Sequence, residues 1–185
     1  MKIKKYLLLT VFSLILILSA CSSTENTVSN EMEGIELKLT INKQEITPND
    51  EVIVKVILTN HNDALREIYV PIPKDIEKGI SAVMVERENK ALWQFLSPKN
   101  NLDIPNIKER SFYDYVLVEL GVNETIEQEF SWNKELLDQE NRGIVEADSG
   151  EYILSTFIIL DELHNQKEYY EPEMQLISKL NFTVK

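Results

Sequence analysis

Two histidines, a single cysteine and a late cluster of acids are the side chains of this chain best suited to chemistry. His61 and His164 lie far apart, each in a polar stretch. Neither has the partner at i+4 or the short-spaced partner that a zinc site uses. No Gly-x-Ser-x-Gly elbow, phosphate-cradling glycine loop or dinucleotide fingerprint occurs, and five glycines leave little room for one. No histidine stands where it would activate a serine. The expectation is therefore no enzyme: no catalytic residue, no cofactor and no metal ligand is assigned. Asp138, Glu140, Asp148 and Glu151, around Gly143 and Gly150, could converge as oxygen ligands for calcium, but their spacing matches no EF-hand loop. A solvated acidic segment is the expected reading, with calcium left open.

The one cysteine, Cys21, stands in a different context. Lys2, Lys4 and Lys5 precede an almost unbroken apolar run from Leu7 to Ile17, and the small residues Ser19 and Ala20 follow. This is the three-part layout of a secretory signal. The run is shorter than the roughly 20 apolar residues that cross a bilayer. Leu18-Ser19-Ala20-Cys21 resembles the lipobox of bacterial lipoproteins. That resemblance implies a signal peptide over 1–20, removed on export, and a diacylglycerol on the Cys21 sulfur. The chain is then expected on the extracytoplasmic face of a bacterial cell membrane. Two or three acyl chains, at about 0.8 kcal/mol per buried CH₂, hold such a protein stably.

Residues 1–20 contain three of the 19 basic side chains and none of the 31 acidic ones, so the remainder carries a formal charge of −15. Such a body repels nucleic acid and anionic lipid, so a nucleic-acid partner is not expected. Cations, cationic peptides and basic protein surfaces remain open to it. Its only cysteine is committed to lipid, so its stability rests on an apolar core, which a chain of this size can build as one domain.

The elements that must carry any site have a period of two. Residues 21–34, polar apart from Val28 and Met32, read as a lipidated flexible tether, and a domain is expected over 35–185. Ile35, Leu37, Leu39 and Ile41 alternate with polar residues, as a half-buried strand requires. "TPND" at 47–50 is a turn, "EVIVKVILT" a central strand and "REIYVPI" an edge or exit strand. "GISAVMVE" and "ALWQFL" form a hairpin about Arg87–Lys90, with Trp93 and Phe95 on one side. Residues 97–109 read as a long loop, and 133–141 as a short helix. "SFYDYVLVEL", a strand ending on Trp132, "ADSGEYILSTFIIL" and "KLNFTV" complete eight or nine strands. No helix is long enough for a βαβ unit. The fold class expected is all-β: an antiparallel, immunoglobulin-like β-sandwich.

In order, "EVIVKVILTNHND", "VMVERENKALWQF", "LGVNETIEQEFSWNKE" and "SGEYILSTFIIL" resemble the bacterial proteinase-inhibitor family BsuPI over about Glu51 to Leu160. The resemblance implies Trp93 and Trp132 as core aromatics, Gly150 and Tyr152 at a strand entrance, and proteinase inhibition as a function. Where that family carries Pro-Gly, this chain has Leu120-Gly121.

Loops on a rigid sandwich are where binding residues concentrate. Glu168, Tyr169, Tyr170 and Glu171 supply aromatic anchors inside an acidic rim, and Ile104, Pro105 and Ile107 a second, stiffer candidate loop. The expected function is a lipid-anchored, non-catalytic module that binds a protein or peptide through such loops. Proteinase inhibition, and an assembly role in an envelope complex through an exposed sheet edge, are the alternatives.

Overall fold

The computed structural model describes residues 25–71, 82–99, 107–110, 115–160 and 175–185. The described residues form strands and their connections, arranged in two sheets. In the first, β1 (Asn26–Met32), β2 (Ile35–Ile41), β4 (Val52–Asn60), β11 (Thr125–Trp132) and the short β8 (Ser97–Pro98) pair in that order. In the second, β14 (Gly150–Ile159) is central. It pairs along its length with β15 (Gln175–Val184), and on its other edge with β6 (Val83–Arg87). Beyond β6 lie β7 (Leu92–Phe95), β12 (Glu135–Asp138) and β13 (Gly143–Glu146). At its far end β14 also meets β5 (Arg66–Pro71), which carries β10 (Tyr115–Leu120) and β9 (Ile107–Arg110). β3 (Glu45–Ile46) joins the end of β15 in parallel.

The order β2-β4-β11-β8 opposite β6-β14-β15 is the A-B-E-D against C-F-G arrangement of an immunoglobulin-like sandwich. Another mark of that architecture is Tyr152 near the start of β14, whose hydroxyl donates to the Asp148 carbonyl at 2.8 Å.

Alternation drives the assembly. Ile35, Leu37, Leu39 and Ile41 on β2, Val52, Val54, Val56 and Leu58 on β4, and Tyr152, Leu154 and Ile158 on β14 are buried between the sheets. Trp132 from the first sheet meets Tyr152 and Phe182 from the second, at ring-centroid distances of 5.7 and 5.6 Å. Its indole N–H donates to the Glu135 carbonyl at 2.9 Å, so a large aromatic is buried without an orphaned donor.

Five expectations are corrected. The tether expected over 21–34 gives way to β1 from Asn26 onward, paired with β2 from Asn26↔Ile41 to Met32↔Ile35. Its inward row is Asn26, Val28, Asn30 and Met32. Val28 and Met32 pack on the core, and the two asparagine amides donate to the edge of β15 away from β14, at the Asn181 and Ile177 carbonyls (2.9 and 2.8 Å). Side-chain amides thus do the work that apolar residues do elsewhere, and a polar composition hides a strand.

The helix expected over 133–141 is instead β12 and its turn into β13, because Leu136 faces the core while Leu137 faces outward. The loop expected over 97–109 contains β8 and the start of β9. Short segments such as these raise the strand count to fifteen among the described residues, above the eight or nine expected. Finally, Trp93 is not a core aromatic, for a reason that register makes plain.

Candidate functional site

In an antiparallel ladder, directly opposed residues share a face. Tyr152 pairs with Arg87 and Phe182 on the inward face, so its neighbour Ile153, opposed to Glu86 and Asn181, points outward. Trp93 opposes Glu86, Leu137 opposes Trp93, and Ile144 opposes Leu137. One outward row therefore runs Ile144, Leu137, Trp93, Glu86, Ile153, Asn181 across six strands, about 24 Å at the usual strand spacing. The next row is Phe95, Met84, Ser155, Lys179, and beyond it Phe157 opposes Ile177.

The centre of this face is apolar. Trp93 and Phe95 meet edge to face at 5.1 Å, Met84, Leu137, Ile153 and Phe157 are half-buried, and Ile144 is 69% exposed. None of these packs against the core between the sheets. The Trp93 indole nitrogen is buried with no hydrogen-bond partner. An unmatched buried donor of this kind costs about 1–3 kcal/mol.

The outward face of the first sheet differs. Glu36, Lys38 and Thr40 on β2 oppose Thr59, Ile57 and Lys55 on β4, and these in turn oppose Thr125, Glu127 and Glu129 on β11. Lys55 pairs with Glu127 at 2.8 Å, an interaction that raises the lysine's pKa. Thr59 and Thr125 share a hydrogen bond at 3.1 Å. That face is the polar, solvated one expected of a two-layer fold.

The acidic segment does not gather into a metal site. The Asp138 carboxylate accepts from the Asn141 amide side chain and from the backbone N–H groups of Glu140 and Asn141, which closes the β12–β13 turn and lowers its pKa. Asp148 forms ion pairs with Arg87 and with Lys90, the latter at 3.5 Å. Glu151 accepts from the Thr183 hydroxyl at 3.0 Å. Among the described residues no group of histidine, cysteine or acidic side chains is placed to hold a metal ion.

His61 is exposed, with its Nε2 3.2 Å from Glu36. Cys21, Ile104, Pro105, His164, Glu168, Tyr169, Tyr170 and Glu171 lie outside the described residues. Ile107 opens β9, opposite Val118.

Sequence reasoning about loops thus passed over a sheet face. The available signal was "VMVE", "LWQF" and "EYILSTFII", each apolar on both sides of the strand. In a two-layer fold such strands leave one side without a core to enter.

No family model matches the chain, and no curated protein matches it. Among solved structures it is similar to a β-glucosidase from Listeria innocua in complex with glucose, with a TM-score of 0.39 and 10% identity, covering 88% of this chain and 16% of that one. For the same enzyme with isofagomine the TM-score is 0.37 and the identity 9%, over the same shares of the two chains. This chain therefore spans less than a fifth of the length of those proteins.

Proposed function

We propose that this chain is a non-catalytic binding module, anchored through lipid on Cys21 to the outer surface of a bacterial cell membrane, and that the outward face of its second sheet is the binding surface. The observation that carries the reading is the contrast between the two outward faces, one a lattice of Lys, Glu and Thr around Ile57, the other centred on Trp93, Phe95, Met84, Ile153 and Ile144. An apolar sheet face with an aromatic centre is suited to a protein partner.

Charge selects the chemistry of that partner. Glu86 sits inside the apolar row and Glu151 at its margin, on a body with a formal charge of −15 once residues 1–20 are removed. A second copy would bring these carboxylates together across a two-fold axis. A partner with apolar side chains at its centre and basic residues at its rim meets both features. The motif order that resembles BsuPI supports the same kind of sandwich and belongs to this proposal.

Site-specific photo-crosslinking in the cells that make the protein tests it. A photoreactive residue at Trp93 or Ile144 is expected to yield one discrete protein adduct, and the same residue at Lys38 or Thr40 none. Equal labelling from both faces, no adduct from the second sheet, or turnover of a substrate by the purified chain overturns the proposal. Trp93→Lys is expected to weaken capture of the crosslinked partner at least tenfold. An adduct with the mass of a dimer of this chain overturns the choice of partner.

A further inference from the structure

We infer that β1 biases the orientation of the domain on the bilayer: its Asn26 end is kept beside the lipid headgroups, and the inverted pose, with the end bearing Leu65 and Val122 pointing at them, is excluded. The inference rests on the lipid anchor at Cys21 proposed above.

Two lengths decide it. Five peptide units separate Cys21 from Asn26, a reach of at most about 18 Å. From Asn26 the chain is paired to β2 without interruption as far as Met32, which carries it about 24 Å along the sheet to the Glu33–Gly34 turn. The 61–65 segment and the 121–124 turn share that far end. The Asn62 amide donates to the Glu33 carbonyl, and the Asn60 amide to the carbonyls of Ala64, Leu120 and Gly121. With the Cys21 acyl chains in the bilayer, the connection is too short for the domain to stand inverted, with this end on the headgroups and Asn26 about 24 Å above them. A flexible tether through residue 34 would have allowed every orientation.

The charge distribution agrees. The Asn26 end gathers the 42–51 segment, the 88–91 turn, Lys134, the 147–149 segment and the end of β15. Here cations and acids are matched: Lys43 with Asp50, Lys99 with Glu51 at 2.9 Å, Lys185 with Glu45 at 3.1 Å, and Arg87 and Lys90 with Asp148. Lys134 adds a further cation, bonded to the Pro48 carbonyl at 2.5 Å. Matched pairs give an acidic protein an end with little repulsion from anionic headgroups. Leu65 and Val122, each about half exposed, are then at the end free to stand away from the bilayer.

The test uses the full lipidated chain in phosphatidylcholine–phosphatidylglycerol vesicles. Acylation blocks the Cys21 sulfur, so a fluorophore attaches only to a cysteine introduced as Asn49→Cys or Lys185→Cys at one end, or Asp63→Cys or Val122→Cys at the other. A headgroup nitroxide lipid is expected to quench the first pair at least threefold more than the second. Equal or reversed quenching overturns the inference. Twenty Gly/Ser residues inserted between Ser23 and Thr24 are expected to abolish the difference; a difference that survives means that headgroup attraction, not β1 and the short connection, sets the orientation, and overturns the inference too. Mass spectrometry without diacylglycerol on Cys21, with no flotation of the chain on vesicles, sinks the anchor itself and so is distinguishable from an anchored chain with the wrong orientation.

Discussion

The hydroxyl of Tyr152 donates to the carbonyl of Asp148, four residues upstream, at 2.8 Å, while its ring stacks on Phe182 with an interplanar angle of 25°. One side chain thereby ties the entry of the central strand of the second sheet to the core beneath it. Arg87 reinforces the corner, with its Nη1 3.2 Å from the same hydroxyl and its Nη2 donating to the Ser149 carbonyl at 2.9 Å. Tyr152→Phe keeps the ring and removes the bond. It is expected to lower unfolding free energy by about 1–2 kcal/mol in urea titrations with an unchanged denaturant slope. A loss indistinguishable from zero would mean that the corner is held by Arg87 and Phe182 alone.

The two tryptophans should behave differently. Trp132 is 4% exposed between the sheets, and Trp132→Ala is expected to cost about 3–5 kcal/mol and to remove most blue-shifted indole emission. Trp93 lies on the outward face, and Trp93→Ala is expected to cost about 1 kcal/mol and to leave the far-ultraviolet circular dichroism unchanged. Similar losses for both would place Trp93 in the core after all.

Asn60 is a buried polar hub. Its amide donates to three carbonyls at 2.9–3.1 Å, and its Oδ1 accepts from the backbone and side chain of Asn62 at 2.9 and 3.0 Å. Asn60→Ala strands these groups, with an expected cost of about 2–4 kcal/mol. Hydrogen exchange should then accelerate first at 61–65 and 121–124. Uniform acceleration would show that Asn60 does not act locally.

Gly34 follows Glu33 in a two-residue hairpin turn in which both have positive φ, 50° and 73°. A Cβ at Gly34 would stand 2.6 Å from the Asn62 Oδ1, so Gly34→Ala combines backbone strain with a displaced partner. A loss of about 1–2 kcal/mol is expected. Part of it should vanish in an Asn62→Ala background, read from the double-mutant cycle. Full additivity would locate the whole cost in the backbone.

Acid should weaken the fold at two loops. Lys43 holds the Asp50 carboxyl well below the ordinary aspartate value of 3.8, helped by the Thr47 N–H and hydroxyl, and Asn141 does the same for Asp138. A carboxyl with a lowered folded-state pKa contributes stability that is complete above its unfolded value and lost as pH falls through the folded one. From these groups the urea midpoint is therefore expected to hold from neutral pH to about pH 5 and to fall as pH drops below about 4, and Asp50→Asn to flatten that dependence. An identical slope in Asp50→Asn would remove Asp50 from the account. Because both carboxylates are only partly buried, salt should reduce the effect.

The alternation of Ile35 to Ile41 and the β-branched run ending at Asn60 pointed to an all-β sandwich from sequence alone, because side chains on a strand have only two directions to go. The strand ending on Trp132 and the last strand, whose Leu180, Phe182 and Val184 are buried, were legible as strands for the same reason. Periodicity cannot say which of two apolar rows a strand turns inward. Trp93 and Phe95 follow the core pattern yet lie outside, since pairing of Glu86 with Trp93 and of Ile153 with Glu86 places them there. Nor can composition reveal a strand whose inward contacts are amide hydrogen bonds, as at Asn26 and Asn30, because those bonds exist only once β15 is alongside. The identity of the layers was therefore local information, while the outward face, the first strand and the clustering of distant charges were decided by register between segments far apart in the chain.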